Sequence, residues 1–183
     1  MSSIANLQRL PASELSKILL AEQEAATNPT IAVVDVRDDD RIGGHIKNSI
    51  HAPSNTLDAK MPTLVRQLAD KKTVVFHCAL SQQRGPSAAI KYVRERERMF
   101  PRRHKASTED GGKEGEKQTE GSDILGKKAT AGEGEEGKEE ERVEEEEQKI
   151  YVLDQGFVGW QQVYADDERL TEGYRKEVWE NGY

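Results

Sequence analysis

Cys78 and Arg84 are the two residues whose types and spacing predict chemistry in this chain. A cysteine thiolate is a strong nucleophile, and an arginine guanidinium is a planar, permanently charged group that binds two oxygens of an anion. The five residues between them allow the chain to curl until both side chains face one bound anion. We therefore predict that Cys78 attacks a phosphate-like oxyanion while Arg84 stabilises the charge that develops in the transition state.

The stretch that follows the cysteine is predicted to be an oxyanion-binding loop. An apolar run at 73–76 precedes it and a helical pattern that begins at Pro86 follows it, so it joins a strand to a helix N-terminus. Backbone N–H groups and the helix dipole favour an anion at such a junction, and they also favour a thiolate. We expect an ionised, exposed sulfur opposite a bound phosphate, sulfate or arsenate ion. The loop residues are Ala79, Leu80, Ser81, Gln82, Gln83 and Arg84.

Three further residues are expected to support the loop. His77 precedes the nucleophile and should orient the loop by hydrogen bonding rather than act as a base. Gly85 lets the chain turn tightly into the helix. Asp35 ends another apolar run and is expected to anchor the loop region, and it stays a candidate proton donor. Gln82 and Gln83 carry no carboxylate, so the loop itself leaves the general acid unassigned.

Alternating apolar runs and helical patterns predict the fold that must position these residues. The branched apolar runs are 31–36, 73–76 and 150–153, and the helical patterns are 13–26, 61–69 and 86–99. Strands that alternate with helices indicate an α/β fold, with a largely parallel sheet and helices on both faces. Reactive loops lie at the carboxyl ends of such strands, and Cys78 follows one of these ends.

The overall composition excludes several classes of protein. The net charge of -7 argues against a nucleic-acid binder, and no apolar run is long enough to span a membrane. A single cysteine permits neither an internal disulfide nor a cysteine-rich metal site. The attack predicted for Cys78 needs no metal, so we expect no metal and no cofactor. We expect a cytoplasmic protein, and the basic cluster at 102–105 adds the nucleus as an alternative.

Composition changes abruptly after Pro101. Residues 102–149 are mostly Glu, Lys, Gly, Thr and Ser, and they carry nearly all of the net negative charge. So few apolar residues cannot offset the entropy cost of ordering, and we therefore predict a disordered, acidic, low-complexity insert. The two flanks, 1–101 and 150–183, are predicted to form one catalytic domain.

The segment 77–86, with His-Cys, five residues and then Arg-Gly-Pro, resembles the active-site signature of the M-phase inducer, or cell-division-cycle, phosphatases. Residues 35–37, 43–49 and 156–160 look like further sequence boxes of this family. The chain is similar to the small fungal members, which consist of little more than this domain. The family shares the rhodanese fold, so the resemblance implies a central, mostly parallel, five-stranded sheet flanked by helices. Fungal arsenate reductases are related to it, so the resemblance indicates a fold and a site rather than a substrate.

Three functions remain open at this point. The first is a cysteine-dependent phosphatase of the protein-tyrosine or dual-specificity type, which acts through a phosphocysteine on a phosphorylated protein or a small phosphoester. The second is an arsenate reductase, which needs glutathione or glutaredoxin as a second thiol because the chain has one cysteine. The third is an inactive phosphate-binding module that docks a partner. Sulfur transfer is disfavoured, because true rhodaneses carry a loop one residue shorter.

Overall fold

Strands alternate with helices along the chain in the computed structural model, which describes residues 7–25, 28–101 and 147–180. The strands are β1 (Gln8–Leu10), β2 (Ile31–Asp35), β3 (His45–Ile46), β4 (Ile50–His51), β5 (Thr73–His77), β6 (Lys149–Leu153) and β7 (Thr171–Glu172). The helices are α1 (Ala12–Ala25), α2 (Leu57–Gln67), α3 (Arg84–Met99), α4 (Gly156–Tyr164) and α5 (Lys176–Glu180). A turn of 3₁₀ helix at Asp39–Arg41 follows β2.

The main sheet has five strands in the order β1-β6-β5-β2-β4, and all of its strand pairs are parallel. β5 is therefore central, and its register places His77 beside Asp35, where β2 ends. The backbone N–H of Val36 donates to the His77 carbonyl at 2.9 Å and extends this pairing by one residue. β3 and β7 form a separate antiparallel pair. The prediction of a central, parallel, five-stranded sheet is confirmed.

Helices cover both faces of the sheet, as the alternation of elements predicted. Successive residues of a strand point to opposite faces, and the apolar clusters follow this alternation. Val34 and Phe76 share one cluster with residues of α2 and α3. Val33 and Val75 share the other cluster with residues of α1 and α4. Because both faces are covered, the central strands are continuous apolar runs, which made them recognisable in the sequence.

Two helices begin earlier than their apolar spacing predicted. α2 starts at Leu57 rather than at residue 61. The apolar spacing did not show this first turn, because it holds one buried side chain followed by three exposed residues. α3 starts at Arg84 rather than at Pro86, so the arginine belongs to the first turn of the helix. The three predicted strands correspond to β2, β5 and β6, each to within one residue at either end. Among the helices of the described ranges, none combines the length and the apolar character needed to cross a membrane.

The folded chain resumes earlier than the composition predicted. Gln148 is buried, and its side-chain amide donates to the carbonyls of Leu68 and Lys71 at 2.7 Å each. Gln148 and Lys149 therefore belong to the folded part, and the prediction of disorder was wrong for them, because bonds to residues so distant in sequence leave no local pattern. Residues 102–146, which include the predicted basic cluster, lie outside the described part of the chain.

Candidate active site

The loop that holds Cys78 runs from the end of β5 to the start of α3, where the sequence predicted it. Residues 78–83 separate His77, the last residue of the strand, from Arg84, the first of the helix. Ser81 lies fully buried within the loop with φ +54°, and its backbone N–H donates to the Cys78 sulfur at 3.2 Å. An amide dipole therefore presents its positive end to the sulfur, which suits a site that holds an anion.

The sulfur is less accessible than we expected. Cys78 is 3% exposed, whereas its near neighbour Leu80 is 49% exposed. Gln82 and Gln83 are exposed as well. The prediction of an exposed thiol was wrong, because Cys78 joins the apolar cluster formed with α2 and α3. Cys78 is therefore largely shielded from solvent, although residues next to it in the loop are exposed.

Helix α4 supports the loop through its first backbone N–H groups. Phe157 and Val158 donate to the carbonyls of Cys78 and Ala79, each at 2.9 Å. Because these carbonyls point to α4, they do not repel an anion bound within the loop. Gly156 permits the close approach: it has φ +58°, and a Cβ at this position would lie 2.4 Å from the Ala79 oxygen.

Replacing Gly156 by alanine should destabilise the protein strongly. The new Cβ requires a left-handed backbone and also displaces the Ala79 carbonyl, so the free energy of unfolding should fall by more than about 3 kcal/mol. Gly173 is a matched control, since it has φ +63° but a Cβ there would meet no atom closer than 4.0 Å. Urea unfolding of both variants measures the difference. Equal losses of stability in the two variants would show that the close contact of Gly156 with the loop carbonyls is not the cause.

A fully buried ion pair lies beside the loop. Arg37 donates from Nε and Nη2 to the two carboxylate oxygens of Asp35, at 3.0 and 2.7 Å. Its guanidinium also lies 4.1 Å from the centroid of the Phe157 ring. Burial raises the pKa of Asp35, but the neighbouring His77 and the hydrogen bonds and charge of Arg37 lower it by more, to about 2. Asp35 is therefore ionised near neutral pH and has no proton to give to a leaving group.

His77 lies next to this ion pair and is completely buried. Burial lowers the pKa of its imidazole, so the ring is neutral near neutral pH. Nδ1 lies 3.3 Å from the Cys78 carbonyl oxygen. Within the described ranges Nε2 has no hydrogen-bond partner, and it lies 3.9 Å from Asp35. A neutral ring in contact with the loop backbone fits an orienting role better than the role of a base.

Arg84 contacts two carboxylates that the sequence did not assign to the site. Its Nη1 donates to Asp40 at 2.8 Å and to Asp38 at 3.2 Å, and its Nη2 donates to the second oxygen of Asp40. The hydrogen bonds to Asp40 raise the pKa of Arg84. Burial raises the pKa of both aspartates, but the hydrogen bonds that they accept lower it by more. The site therefore holds two ionised carboxylates beside its arginine.

A weak signal for these carboxylates was present in the sequence. Asp38, Asp39 and Asp40 follow β2 almost directly, and polar residues after neighbouring parallel strands meet at one edge of the sheet. The pairing of β2 with β5 brings this run beside Arg84. Spacing along the chain could not show which member of the run contacts the guanidinium.

The arrangement can support nucleophilic attack on a small oxyanion. A sulfur with an amide donor lies in a loop that α4 holds, and a guanidinium begins the next helix. No cluster of three or more His, Cys, Asp or Glu side chains that could hold a metal occurs in residues 7–25, 28–101 and 147–180. The groups that the structure brings together around the loop include a thiol, a backbone amide that donates to it, and a guanidinium paired with two carboxylates.

The structure is thus an α/β domain with a parallel sheet, a cysteine-containing loop at the end of its central strand and an arginine in the first turn of the next helix. A family model described as a Rhodanese-like domain matches residues 14–119, which is more than half of the chain. The chain belongs to the rhodanese-like family.

Relatives carry the names of two activities. The chain is 52% identical over 66 residues to the dual specificity phosphatase Cdc25 of Arabidopsis thaliana and, equally, to arsenate reductase 2.1 of Oryza sativa subsp. japonica. Each match covers 36% of this chain but only 45% and 41% of the respective relative, less than half of either. The solved structure of a yeast protein tyrosine phosphatase of the Rhodanese family covers 97% of this chain and 99% of its own, with 29% identity and a TM-score of 0.60.

Proposed function

We propose that the chain is a cysteine-dependent phosphatase whose nucleophile is Cys78. The observation that carries the proposal is the loop itself, in which the Cys78 sulfur receives the Ser81 N–H at 3.2 Å between β5 and α3. The names of the Arabidopsis relative and of the yeast structure support phosphate esters as the substrate class. We infer that the substrate is a phosphorylated protein or a small phosphoester, and that the reaction uses no metal or organic cofactor.

In the proposed mechanism the Cys78 sulfur attacks phosphorus, and the bond from phosphorus to the leaving oxygen breaks. Water then attacks the phosphoryl group on sulfur, which releases inorganic phosphate and restores the thiolate. Arg84 and the loop amides stabilise the charge on the non-bridging oxygens in both steps. Aryl phosphates suit such a site, because a phenolate leaves readily and the ionised Asp35 supplies no proton.

A second candidate, arsenate reduction, has one observation in its favour. The relative from rice, named an arsenate reductase, is as similar to this chain as the Arabidopsis phosphatase is, at 52% over 66 residues. Arsenate and phosphate have nearly the same shape, so one loop can bind either. Reduction of As(V) to As(III) takes two electrons, which two thiols supply when they form a disulfide. Since the chain has one cysteine, glutathione or glutaredoxin must supply the other thiol.

A single preparation assayed against several substrates separates these functions. The assays are hydrolysis of an aryl phosphate and of a phosphotyrosine peptide, arsenite formation with and without glutathione and glutaredoxin, and thiocyanate formation from thiosulfate and cyanide. We expect turnover of the aryl phosphate and the phosphopeptide. Arsenite formation without phosphate release would replace the phosphatase assignment by a reductase, and thiocyanate alone would indicate sulfur transfer. Sulfate binding without any turnover would indicate an inactive phosphate-binding module.

A further inference from the structure

The Arg84 guanidinium has two edges that can each bind a pair of oxygens, and its hydrogen bonds occupy one of them. Of the five N–H bonds of an arginine, two on Nη1 and one on Nη2 donate here to Asp38 and Asp40. The Nε–H and the other Nη2–H have no partner in the described part of the chain. These two bonds form an edge that matches two oxygens of an anion. Arg37 uses this same edge to bind Asp35.

The two carboxylates are held in place by donors other than Arg84. Asp38 accepts a hydrogen bond from the Ser54 hydroxyl at 2.6 Å and another from the Asn55 backbone N–H at 3.1 Å. Asp40 accepts the backbone N–H of Asp38 at 2.8 Å. The two carboxylates are therefore ordered by their own turn and by residues 54 and 55, independently of Arg84.

Arg84 lies in the first turn of α3, at the end of the loop that begins with Cys78. The side chain of Arg84 is 34% exposed, so without a contact to hold it the guanidinium would sample several rotamers in water. Because the guanidinium must bind an oxyanion in one orientation, its hydrogen bonds to the ordered carboxylates should favour that orientation.

We propose that Asp40, supported by Asp38, is a positioning residue of the oxyanion site. Its two-point contact fixes the plane of the Arg84 guanidinium and leaves the Nε and Nη2 edge for two oxygens of the substrate. The inference rests on the proposed function, because an oxyanion must bind in the loop for this edge to be used. Arg84 then donates to the substrate from its Nε and Nη2 edge and to Asp40 from its Nη1 and Nη2 edge.

The negative charge of Asp40 also repels a bound anion. Removing Asp40 would therefore have two opposite effects on the site: less repulsion of the anion and poorer orientation of Arg84. A carboxylate close to an anion weakens anion binding, so its removal should strengthen binding if repulsion dominates. Loss of orientation should instead slow turnover, because a misplaced charged donor costs about 10- to 100-fold in rate. Asp39 lies between the two aspartates in the chain and is exposed. Asp39→Asn removes an equal charge from the same turn without changing a hydrogen bond to Arg84. It therefore measures the effect of the charge without the effect of orientation.

Steady-state kinetics on an aryl phosphate tests the proposal. Asp40→Asn should lower kcat/KM about 10- to 100-fold, mostly through kcat, whereas Asp39→Asn should change it by less than about twofold. In an Arg84→Lys background Asp40→Asn should cost less than about threefold, because a lysine has no planar edge to orient. Urea unfolding midpoints of all variants show whether any loss comes from a general loss of structure.

Equal effects of Asp40→Asn and Asp39→Asn on kcat/KM would overturn the proposal, and so would an Asp40→Asn loss that persists in the Arg84→Lys background. Failure of the proposed function looks different, since the wild type would then turn over no phosphate ester. In that case calorimetry with vanadate tests the positioning role directly. Weaker vanadate binding by Asp40→Asn than by Asp39→Asn supports it, and equal or tighter binding overturns it.

Discussion

Cys78→Ser should hydrolyse an aryl phosphate at least about a thousandfold more slowly than the wild type. A serine hydroxyl has nearly the same shape as the thiol, but it stays protonated and is a much weaker nucleophile than a thiolate. The imidazole of His77 cannot activate it, because its Nδ1 contacts the carbonyl of residue 78 rather than the side chain. Initial rates of phenolate release measure the loss, and mass spectrometry of the quenched wild type should detect the phosphocysteine.

Sulfate binding and unfolding separate a loss of chemistry from a loss of folding in this variant. Cys78→Ser keeps the loop amides and Arg84, so it should bind sulfate and unfold at a urea concentration close to that of the wild type. Ser87→Ala, at an exposed position in α3, is a matched control and should keep activity within about twofold. A Cys78→Ser rate above about a tenth of the wild-type rate would reject Cys78 as the nucleophile.

Arg37→Met should lower the free energy of unfolding at neutral pH by about 3 to 5 kcal/mol. The change removes the guanidinium that binds both oxygens of the buried Asp35 carboxylate and leaves Arg41, 3.4 Å from one of them, as its arginine neighbour. It also removes the cation from the Phe157 ring. Arg169→Met is the control, because it breaks a 2.8 Å pair with Asp167 in which the arginine is 66% exposed. Because water screens that exposed pair, its loss should change the free energy of unfolding far less than the loss of Arg37. Urea unfolding followed by tryptophan fluorescence measures both losses.

The pH dependence of the Arg37→Met deficit identifies its cause. In the wild type the pKa of Asp35 is about 2, below the ordinary value of 3.8. The carboxylate therefore contributes stability above about pH 4 that is lost as the pH falls toward 2. In Arg37→Met the buried carboxylate keeps Arg41 but loses the hydrogen bonds of the Arg37 guanidinium, so the pKa of Asp35 should rise above its wild-type value. Protonation then relieves the penalty, and the deficit should shrink in acid. A deficit that does not change with pH would indicate lost packing rather than an unpaired charge.

The position of the loop that holds Cys78 was predictable because its determinants are local. The apolar run of β5, the cysteine that follows it and the helical pattern that begins near Pro86 lie within one short stretch. The central sheet was predictable for a related reason, since strands covered on both faces are continuously apolar. The parallel order of the strands and the helices on both faces then follow from the alternation of elements.

The partners of the predicted residues were not predictable, because they are distant in sequence. Arg84 meets Asp40 and Asp38 across 44 and 46 residues, and only the pairing of β2 with β5 brings them together. The burial of Gln148 was not predictable, because the carbonyls to which it donates are 77 and 80 residues away. The composition around it predicted disorder, whereas its side chain is buried and hydrogen-bonded.

The burial of Cys78 also bears on how the protein responds to oxidants. With Cys78 only 3% exposed, we expect oxidants as small as hydrogen peroxide, rather than larger ones, to oxidise its sulfur to a sulfenic acid. A neighbouring thiol commonly traps that species as a disulfide, but this chain has no second cysteine. Continued exposure would lead to sulfinic and sulfonic acids that are not readily reversed. We therefore expect small diffusible thiols, rather than a disulfide within the chain, to restore Cys78 after such oxidation.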